Sequence, residues 1–254
     1  VILAVDVGNT HTILGLFDES GIDGHWRVST NPALTADELR VKMAGLLAAA
    51  GHSWDEVEHC IVSSVVPRLT SAYEEIAEDV CGRPAMIVGP GLKTGMSIRY
   101  DNPHEIGADR IVNGIGAFEA YGGPVLVVDF GTATTIDVID AEGAYLGGAI
   151  APGVETSAEA LFAKAARLSK VDLEAPPRVI GTNTRASVQA GLILGEAVMV
   201  DGLVRRVWDE LGTETPVVST GGLAEQMAPL CKTITAVEPD LTLKGLMIVY
   251  RRNV

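Results

Sequence analysis

Cysteine is scarce in this chain and unpatterned. Cys60, Cys81 and Cys231 stand far apart among 254 residues with no Cys-x-x-Cys pair, so neither a disulfide framework nor a zinc ribbon is indicated. Cys60 enters an apolar strand and the other two sit at helix ends, so buried or half-buried thiols are expected. Aromatics make up only 5% against a hydrophobic share of 47%. Packing therefore falls to Ala, Val, Leu and Ile, which suits an α/β protein with strands covered on both faces. No apolar run reaches the roughly 18 residues of a membrane span, and no membrane association is expected. The chain opens on strand-like residues at Val1, without a basic stretch or a secretory apolar segment. A cytoplasmic protein is the expectation.

Positive charge is also in short supply: 19 basic against 33 acidic residues, a net charge of −14. A nucleic-acid partner needs a basic face, and Arg205-Arg206 and Arg251-Arg252 are isolated pairs, so none is expected. The same charge repels any polyanion at long range, so phosphate binding has to rest on local amides, hydroxyls and metal ions. Several signatures are missing altogether. There is no G-x-x-x-x-G-K-[ST], no G-x-G-x-x-G after a strand, no H-E-x-x-H and no G-x-S-x-G. P-loop and protein-kinase architectures are excluded on that ground, and a dinucleotide fold is disfavoured.

What the chain does hold is a motif that nearly occurs twice. Val5-Asp6-Val7-Gly8-Asn9-Thr10-His11-Thr12-Ile13 reappears as Val128-Asp129-Phe130-Gly131-Thr132-Ala133-Thr134-Thr135-Ile136, with Asp6 and Asp129 standing 123 residues apart. Each copy follows a short apolar run and leads into another, which reads as strand, Gly-containing turn, strand. An Asp-x-Gly hairpin by itself is ordinary. Two matched copies, each opening half of the chain, point to phosphate binding: Gly admits close backbone approach and Thr hydroxyls donate. The Asp at the start of each turn is placed to hold a cation that offsets phosphate charge. Two such turns facing each other across a cleft would grip a nucleoside triphosphate.

Local signals order the remaining elements. Thr35-Ala36-Asp37-Glu38 is a capping box that opens a helix closed by Gly51. Cys60 to Val65 reads as a buried strand and Pro67 starts a helix ended by Gly82. Ala85 to Val88 and Met96 to Tyr100 read as strands, and 105 to 121 as a helix. The second half repeats the hairpin and adds a strand at Ala144 to Ile150, then helices near 154 to 167 and 184 to 211. Strands at Pro216 to Thr220 and Thr233 to Val237 come next, and a last helix starts at Asp240. Ile61-Val62-Ser63-Ser64 is echoed by Val217-Val218-Ser219-Thr220. A length of 254 residues allows one or two domains at about 150 residues each. The expected division is 1–115, holding the first turn, and 116–254, holding the second turn and a dimer helix.

A third segment, Asn102-Pro103-His104-Glu105-Ile106-Gly107-Ala108-Asp109-Arg110-Ile111-Val112-Asn113, lies at the junction of the halves. An Asp near a helix N-terminus, where Asp109 falls, is often only a dipole partner or a cap. Beside phosphate-binding turns it also suits a base that accepts a hydroxyl proton during phosphoryl transfer. Arg110 could pair with an anionic group on the acceptor.

Asp6 to Thr10, Pro103 to Arg110, Asp129 to Thr135 and Gly147-Gly148-Ala149-Ile150-Ala151-Pro152-Gly153, in that order, resemble the type III pantothenate kinases over essentially the whole chain. The resemblance implies an actin-like ATPase fold of two duplicated ribonuclease-H-like α/β domains with the active site in the cleft between them. It also implies transfer of the ATP γ-phosphoryl group to pantothenate, giving 4′-phosphopantothenate and ADP in the first step of coenzyme A synthesis. Carried onto this sequence, Asp6, Val7, Gly8, Asn9, Thr10, His11, Thr12 and Ile13 form the first ATP loop, with Asp6 near Mg²⁺. Gly131 and Thr132 contact ATP from the second loop, and Asp129 holds a monovalent cation, K⁺ or NH₄⁺. Asp109 is the general base. Tyr100, Gly107, Ala108, Asp109 and Arg110 line the pantothenate pocket. The family is a homodimer with active sites at the interface, and Thr184, by itself a helix N-cap, would reach pantothenate from the second protomer. Gly221-Gly222 resembles an adenosine-side turn, and His104 is a candidate ligand contact or a structural group beside Pro103. Two other readings stand beside the kinase: a non-catalytic transcriptional accessory factor of the same fold, and another small-molecule kinase of the superfamily.

Overall fold

The computed structural model describes residues 1–165, 168 and 170–254. It divides into two compact units. The first comprises Val1–Met96, Asp101–Gly116 and Leu241–Val254, and the second Ser97–Tyr100 and Ala117–Asp240.

In the first unit β1 (Ile2–Val7), β2 (His11–Asp18), β3 (Gly21–Ser29), β4 (His59–Ser64) and β5 (Met86–Ile87) form one sheet in the order β3-β2-β1-β4-β5. β1 pairs antiparallel with β2 and parallel with β4. Consecutive residues Ala4 and Val5 are both fully buried, the mark of a strand covered on both faces. α1 (Ala36–Ala49) starts at the Thr35 capping box, where Thr35 Oγ1 accepts from the Glu38 N–H and Glu38 accepts from the Thr35 N–H. α2 (Pro67–Cys81) opens on Pro67 and ends at Gly82, whose φ of 63° is the left-handed conformation a glycine cap supplies. Leu39, Met43 and Leu47 of α1 and Leu69, Tyr73 and Ile76 of α2 pack with Leu3, Val5, Leu14 and Leu16 in one core.

α3 (Ala108–Tyr121) carries the chain onward, with its residues up to Gly116 belonging to the first unit. β6 (Val125–Phe130), β7 (Ala133–Ile139), β8 (Tyr145–Pro152), β9 (Val217–Thr220) and β10 (Ala236–Val237) make the second sheet, ordered β10-β9-β6-β7-β8. Read from its antiparallel edge this is the order of the first sheet, strand for strand: the α/β duplication expected from the repeated motif. α4 (Val154–Lys164), α5 (Thr184–Gln189), a π-helical stretch at Ala190–Leu194, α6 (Gly195–Leu211) and α7 (Ala224–Met227) complete this unit. Ile193, Ala197, Val200 and Val204 pack on Val128, Phe130, Ile136 and Val138. The continuous helix Thr184–Leu211 is long and apolar enough to cross a membrane by length and composition, but half of its most apolar window is buried inside this core.

α8 (Leu241–Arg251), which a division at 115/116 assigns to the second half, belongs to the first unit. Gly245 lies against the backbone of Val112, Leu243 against Gly15, and Thr242 Oγ1 donates to Asn113 Oδ1 at 2.7 Å. It covers the second face of the first sheet.

Several local expectations change. Met96–Tyr100 forms only a single bridge, Ile98 to Tyr145, at the edge of β8. The strand expected from Thr233 shrinks to two residues because Asp201 captures the Lys232 and Thr233 N–H groups at 2.8 and 3.0 Å. The helix expected from 105 begins as a short 3-10 turn, Pro103–Glu105, and becomes α-helical only at Ala108. The expected helix end at 167 lies outside the described residues. The strand echo is also one residue out of structural register: Asp6 pairs with Ser63, whereas Asp129 pairs with Thr220 and not Ser219.

Candidate active site

In the first unit Asp6 sits near the end of β1, flanked by Ile13 on β2 and Ser63 on β4. The chain turns at Asn9-Thr10, closed by the Gly8 N–H on His11 O at 3.0 Å. A Cβ at Gly8 would stand 2.9 Å from that same oxygen, so the turn needs glycine there. Thr30 pins the turn from beyond β3: its Oγ1 donates to Gly8 O at 2.8 Å, its N–H donates to Thr10 O at 2.9 Å, and its hydroxyl meets Thr12 Oγ1 at 2.9 Å. Val7 and Thr12 are buried, Ile13 is half-buried, and Asn9, Thr10 and His11 are exposed. The loop thus presents polar groups outward on a fixed base. Sequence reasoning misses Thr30; a hydroxyl one residue past the third strand of the hairpin sheet is the signal that could have found it.

In the second unit Asp129 occupies the matching place on β6, paired with Thr135. Gly131 N–H donates to Ala133 O at 3.1 Å across Thr132, and Thr132 O accepts from Gly153 N–H at 3.0 Å and Thr156 Oγ1 at 2.6 Å. Gly153 therefore belongs to the turn: a Cβ there would overlap Gly131 O. Gly221 adopts φ +93°, and a Cβ on it would overlap Asp129 Oδ1 and stand 2.7 Å from Phe130 O. The Asp129 carboxylate is thus bedded on a glycine backbone, a seat that any side chain would fill. Among the described residues no three His, Cys, Asp or Glu side chains gather to cage a metal ion.

The Gly107-to-Arg110 segment opens α3 in the first unit. Asp109 is half-buried, and its Oδ1 accepts from the Arg110 N–H at 2.8 Å. Burial raises its pKa above the ordinary aspartate value, while the Arg110 N–H and charge pull the other way. A Cβ on Gly107 would overlap Asp109 Oδ1 and lie 3.6 Å from Val65 Cγ1. Val65 N–H in turn donates to Val7 O at 3.0 Å. One unit therefore brings together the first turn and the start of α3. Ala108 is half-buried beside them and Arg110 is buried. His104 lies in the exposed 3-10 turn, its N–H held by Asn102 Oδ1 at 3.3 Å.

Tyr100 belongs to the second unit. Its ring lies over Gly147, where a Cβ would be 3.4 Å away, and 6.2 Å from the Tyr145 ring. Tyr145 OH donates to the buried Asp137 at 2.7 Å and Thr135 Oγ1 donates to it at 3.0 Å. Thr184 is exposed at the first position of α5; the cap is Asn183, whose Oδ1 accepts from Ala186 N–H at 2.9 Å. Thr184 lines an open cavity of about 610 Å³ with Leu161, Asn183, Ser187 and Leu192.

A sequence model of the type III pantothenate kinase family matches residues 2–206. The type III pantothenate kinase of Moorella thermoacetica is 48% identical over 253 residues, covering 100% of both chains. That of Syntrophotalea carbinolica is 49% identical, covering 100% of this chain and 99% of its own. Among solved structures, a Campylobacter jejuni protein described as a Baf family transcriptional activator aligns over 99% of this chain and 98% of its own, with a TM-score of 0.62 and 18% identity. Component A of the (R)-2-hydroxyglutaryl-CoA dehydratase of Acidaminococcus fermentans aligns over 98% and 96%, with a TM-score of 0.57 and 17% identity. At such identities these two structures share the fold alone.

Proposed function

The chain belongs to the type III pantothenate kinase family, and from that premise we propose which of its residues transfer the ATP γ-phosphoryl group to pantothenate. The activity itself, an ATP-dependent phosphotransfer to an alcohol that begins coenzyme A synthesis, comes with the family. The residue roles are our assignment.

Asp109 is the general base. It accepts the proton of the pantothenate primary hydroxyl as that oxygen bonds to the γ-phosphorus, and the bond to the β–γ bridging oxygen breaks to release ADP. The observation that carries this role is its setting: a half-buried carboxylate at the start of α3, made more basic by burial and aimed by the Arg110 N–H. Gly107 leaves room for it, and we assign Ala108 to the same pocket. Arg110 orients the acceptor, and Tyr100 over Gly147 forms an aromatic wall for it. The first turn, Asp6 to Ile13, and the second, Gly131-Thr132, supply N–H and hydroxyl donors to the phosphates.

A single carboxylate such as Asp6 fits Mg²⁺, which takes most of its ligands from phosphate and water and neutralises phosphate charge when bound. Asp129, seated on Gly221, fits a monovalent cation, K⁺ or NH₄⁺, that would offset charge beside the second turn. We assign Thr184 to the pantothenate pocket of the other protomer in a homodimer; its exposure at the edge of the cavity is consistent with that.

The test is ADP release with ATP and Mg²⁺, with and without pantothenate, in Na⁺ and in K⁺. Release that needs both pantothenate and K⁺ supports the assignment. ADP release indifferent to K⁺ removes the cation role from Asp129, and a fully active monomer removes Thr184 from the site.

A further inference from the structure

The second sheet encloses a carboxyl that phosphoryl transfer does not use. Asp137 on β7 is fully buried, and both of its oxygens hold a donor. Oδ1 accepts from Tyr145 OH at 2.7 Å and Oδ2 from Thr135 Oγ1 at 3.0 Å. The two donors stand on different strands, β8 and β7, so the carboxyl cannot turn without losing one of them. Strand register explains the reach. Gly148 is the residue opposite Asp137, and a Cβ there would overlap Ile136 O. With no side chain at that place, Tyr145, which pairs with Ile139 one step along the same face, extends diagonally to Asp137.

Tyr145, also fully buried, in turn holds the segment that bears Tyr100. Its N–H donates to Ser97 O and its carbonyl accepts from the Arg99 N–H, both at 2.8 Å. Its ring centre lies 6.2 Å from that of Tyr100, with the planes tilted by 57°, which is the spacing of an aromatic pair. The other support of the Tyr100 ring is Gly147, whose φ of +126° favours glycine. Gly147 and Gly148 therefore have separate tasks: one beds Tyr100, and the other clears the way between Tyr145 and Asp137. An apolar pair in place of Tyr145 and Asp137 would fill this layer at lower desolvation cost. It would not fix how far the ring extends over the sheet, which a directional hydrogen bond at its tip does.

We propose that Asp137 is a positioning residue for the alcohol substrate: through Tyr145 it sets the place of the Tyr100 ring, and with it the fit of the acceptor. The proposal rests on the reading of Tyr100 as a wall of the pantothenate pocket. Enclosed as it is, Asp137 does not meet substrate; it holds the ring against which Tyr100 stands.

The test is steady-state kinetics on the intact enzyme, each substrate varied with the other saturating. The variants are Tyr145→Phe, Tyr100→Ala, the two combined, and Tyr145→Phe combined with Asp137→Val. Tyr145→Phe should raise KM for pantothenate roughly threefold to tenfold, the worth of one hydrogen bond. KM for ATP should stay within about twofold. In the Tyr100→Ala background Tyr145→Phe should add almost nothing, because the ring it positions is gone. A general loosening of the fold would show the reverse, moving both KM values and adding in full. Should Tyr145→Phe fail to fold, its combination with Asp137→Val decides, since that pair leaves no enclosed carboxyl short of a donor and should show the same selective rise. A wild-type KM for pantothenate in the folded variant overturns the proposal, as does an equal rise in both KM values or an undiminished effect in the Tyr100→Ala background. Tyr100→Ala is the control: if it leaves KM for pantothenate unchanged, the reading of Tyr100 as a pocket wall is what fails.

Discussion

Gly107→Ala would test whether Asp109 acts through the place its carboxylate occupies. A Cβ at 107 overlaps Asp109 Oδ1, while Val65 Cγ1 is 3.6 Å away. The acid has to move and the backbone does not. Gly107 is not one of the positive-φ glycines, so alanine meets no left-handed penalty. The rearranged side chain leaves the Arg110 N–H it accepts at 2.8 Å. Rotating it off its rotamer costs about 0.5–1.5 kcal/mol. Losing glycine's freedom in the unfolded chain returns about 0.4–1 kcal/mol, so Tm should shift by only a few degrees.

The chemistry should suffer far more than the fold. A misplacement of about 1 Å at a reacting group costs roughly 10²-fold, or about 2.7 kcal/mol of barrier. Removing the base altogether by Asp109→Asn should cost roughly 10²–10⁴-fold in kcat. Gly107→Ala is therefore expected to lose most of what Asp109→Asn loses, with ATP binding nearly unchanged because neither phosphate turn is touched. In the Asp109→Asn background the same substitution should add almost nothing, since the group it displaces no longer acts. The assay is kcat from ADP release at saturating ATP and pantothenate, beside a melting curve for each variant. A Gly107→Ala enzyme within twofold of wild type would refute the argument, and so would an undiminished penalty in the Asp109→Asn background.

Three further outcomes are expected. Asp109 must be ionised to accept a proton, and burial raises its pKa above 3.8, so the acid limb of kcat/KM for pantothenate should lie above the ordinary aspartate range. Asp109→Asn should remove that limb; its persistence would place the limb on another group. Asp129→Asn should abolish the response to K⁺, and Gly221→Ala, whose Cβ would overlap the Asp129 carboxylate at a φ of +93°, should blunt it while Asp129 remains. An intact K⁺ response in both variants would move the cation elsewhere. His52 bridges Glu56 and Asp23, both at 2.8 Å. The Glu56 hydrogen bond and the two carboxylate charges raise its pKa above 6.5, against some burial. Its contribution is therefore complete below pH 6.5 and lost as pH rises through the raised value. Glu56, lowered from 4.5 chiefly by its bond to His52, contributes fully above 4.5 and loses that support as pH falls through its depressed value. The Tm gap between wild type and His52→Gln should thus be widest near pH 5–6.5 and narrow towards pH 9; a gap independent of pH would show the clasp to be idle.

Much of the fold is legible in the sequence because its rules are local. The capping box at Thr35-Glu38, the Pro67 start and Gly82 stop of α2, and the doubled Asp-x-Gly hairpin each specify their own backbone within a few residues. Contacts between distant segments are not written that way. Nothing near Leu241 says that α8 closes on Val112 and Gly15 of the first unit. The register that sets Asp129 beside Thr220 and not Ser219 comes from strand pairing, and the sequence echo points to the wrong one of the two. Thr233 has the β-branched residue of a strand, yet Asp201 on a distant helix takes its N–H instead.

The candidate site divides along the same line, and its glycines show why. Gly107, Gly153 and Gly221 each look in the sequence like a turn residue chosen for its own backbone. In the fold, only Gly221 of the three has a positive φ. What they share is a missing Cβ where another group has to be: Asp109 Oδ1 for Gly107, Gly131 O for Gly153, Asp129 Oδ1 for Gly221. Asp109 is two residues from its glycine, so that relation could be inferred from the segment alone. Asp129 is 92 residues from Gly221, and only the parallel pairing of β6 with β9 makes them neighbours. A glycine in such a site is half of a contact whose other half is a carboxylate or a carbonyl, and it is found from sequence only when that other half is close along the chain.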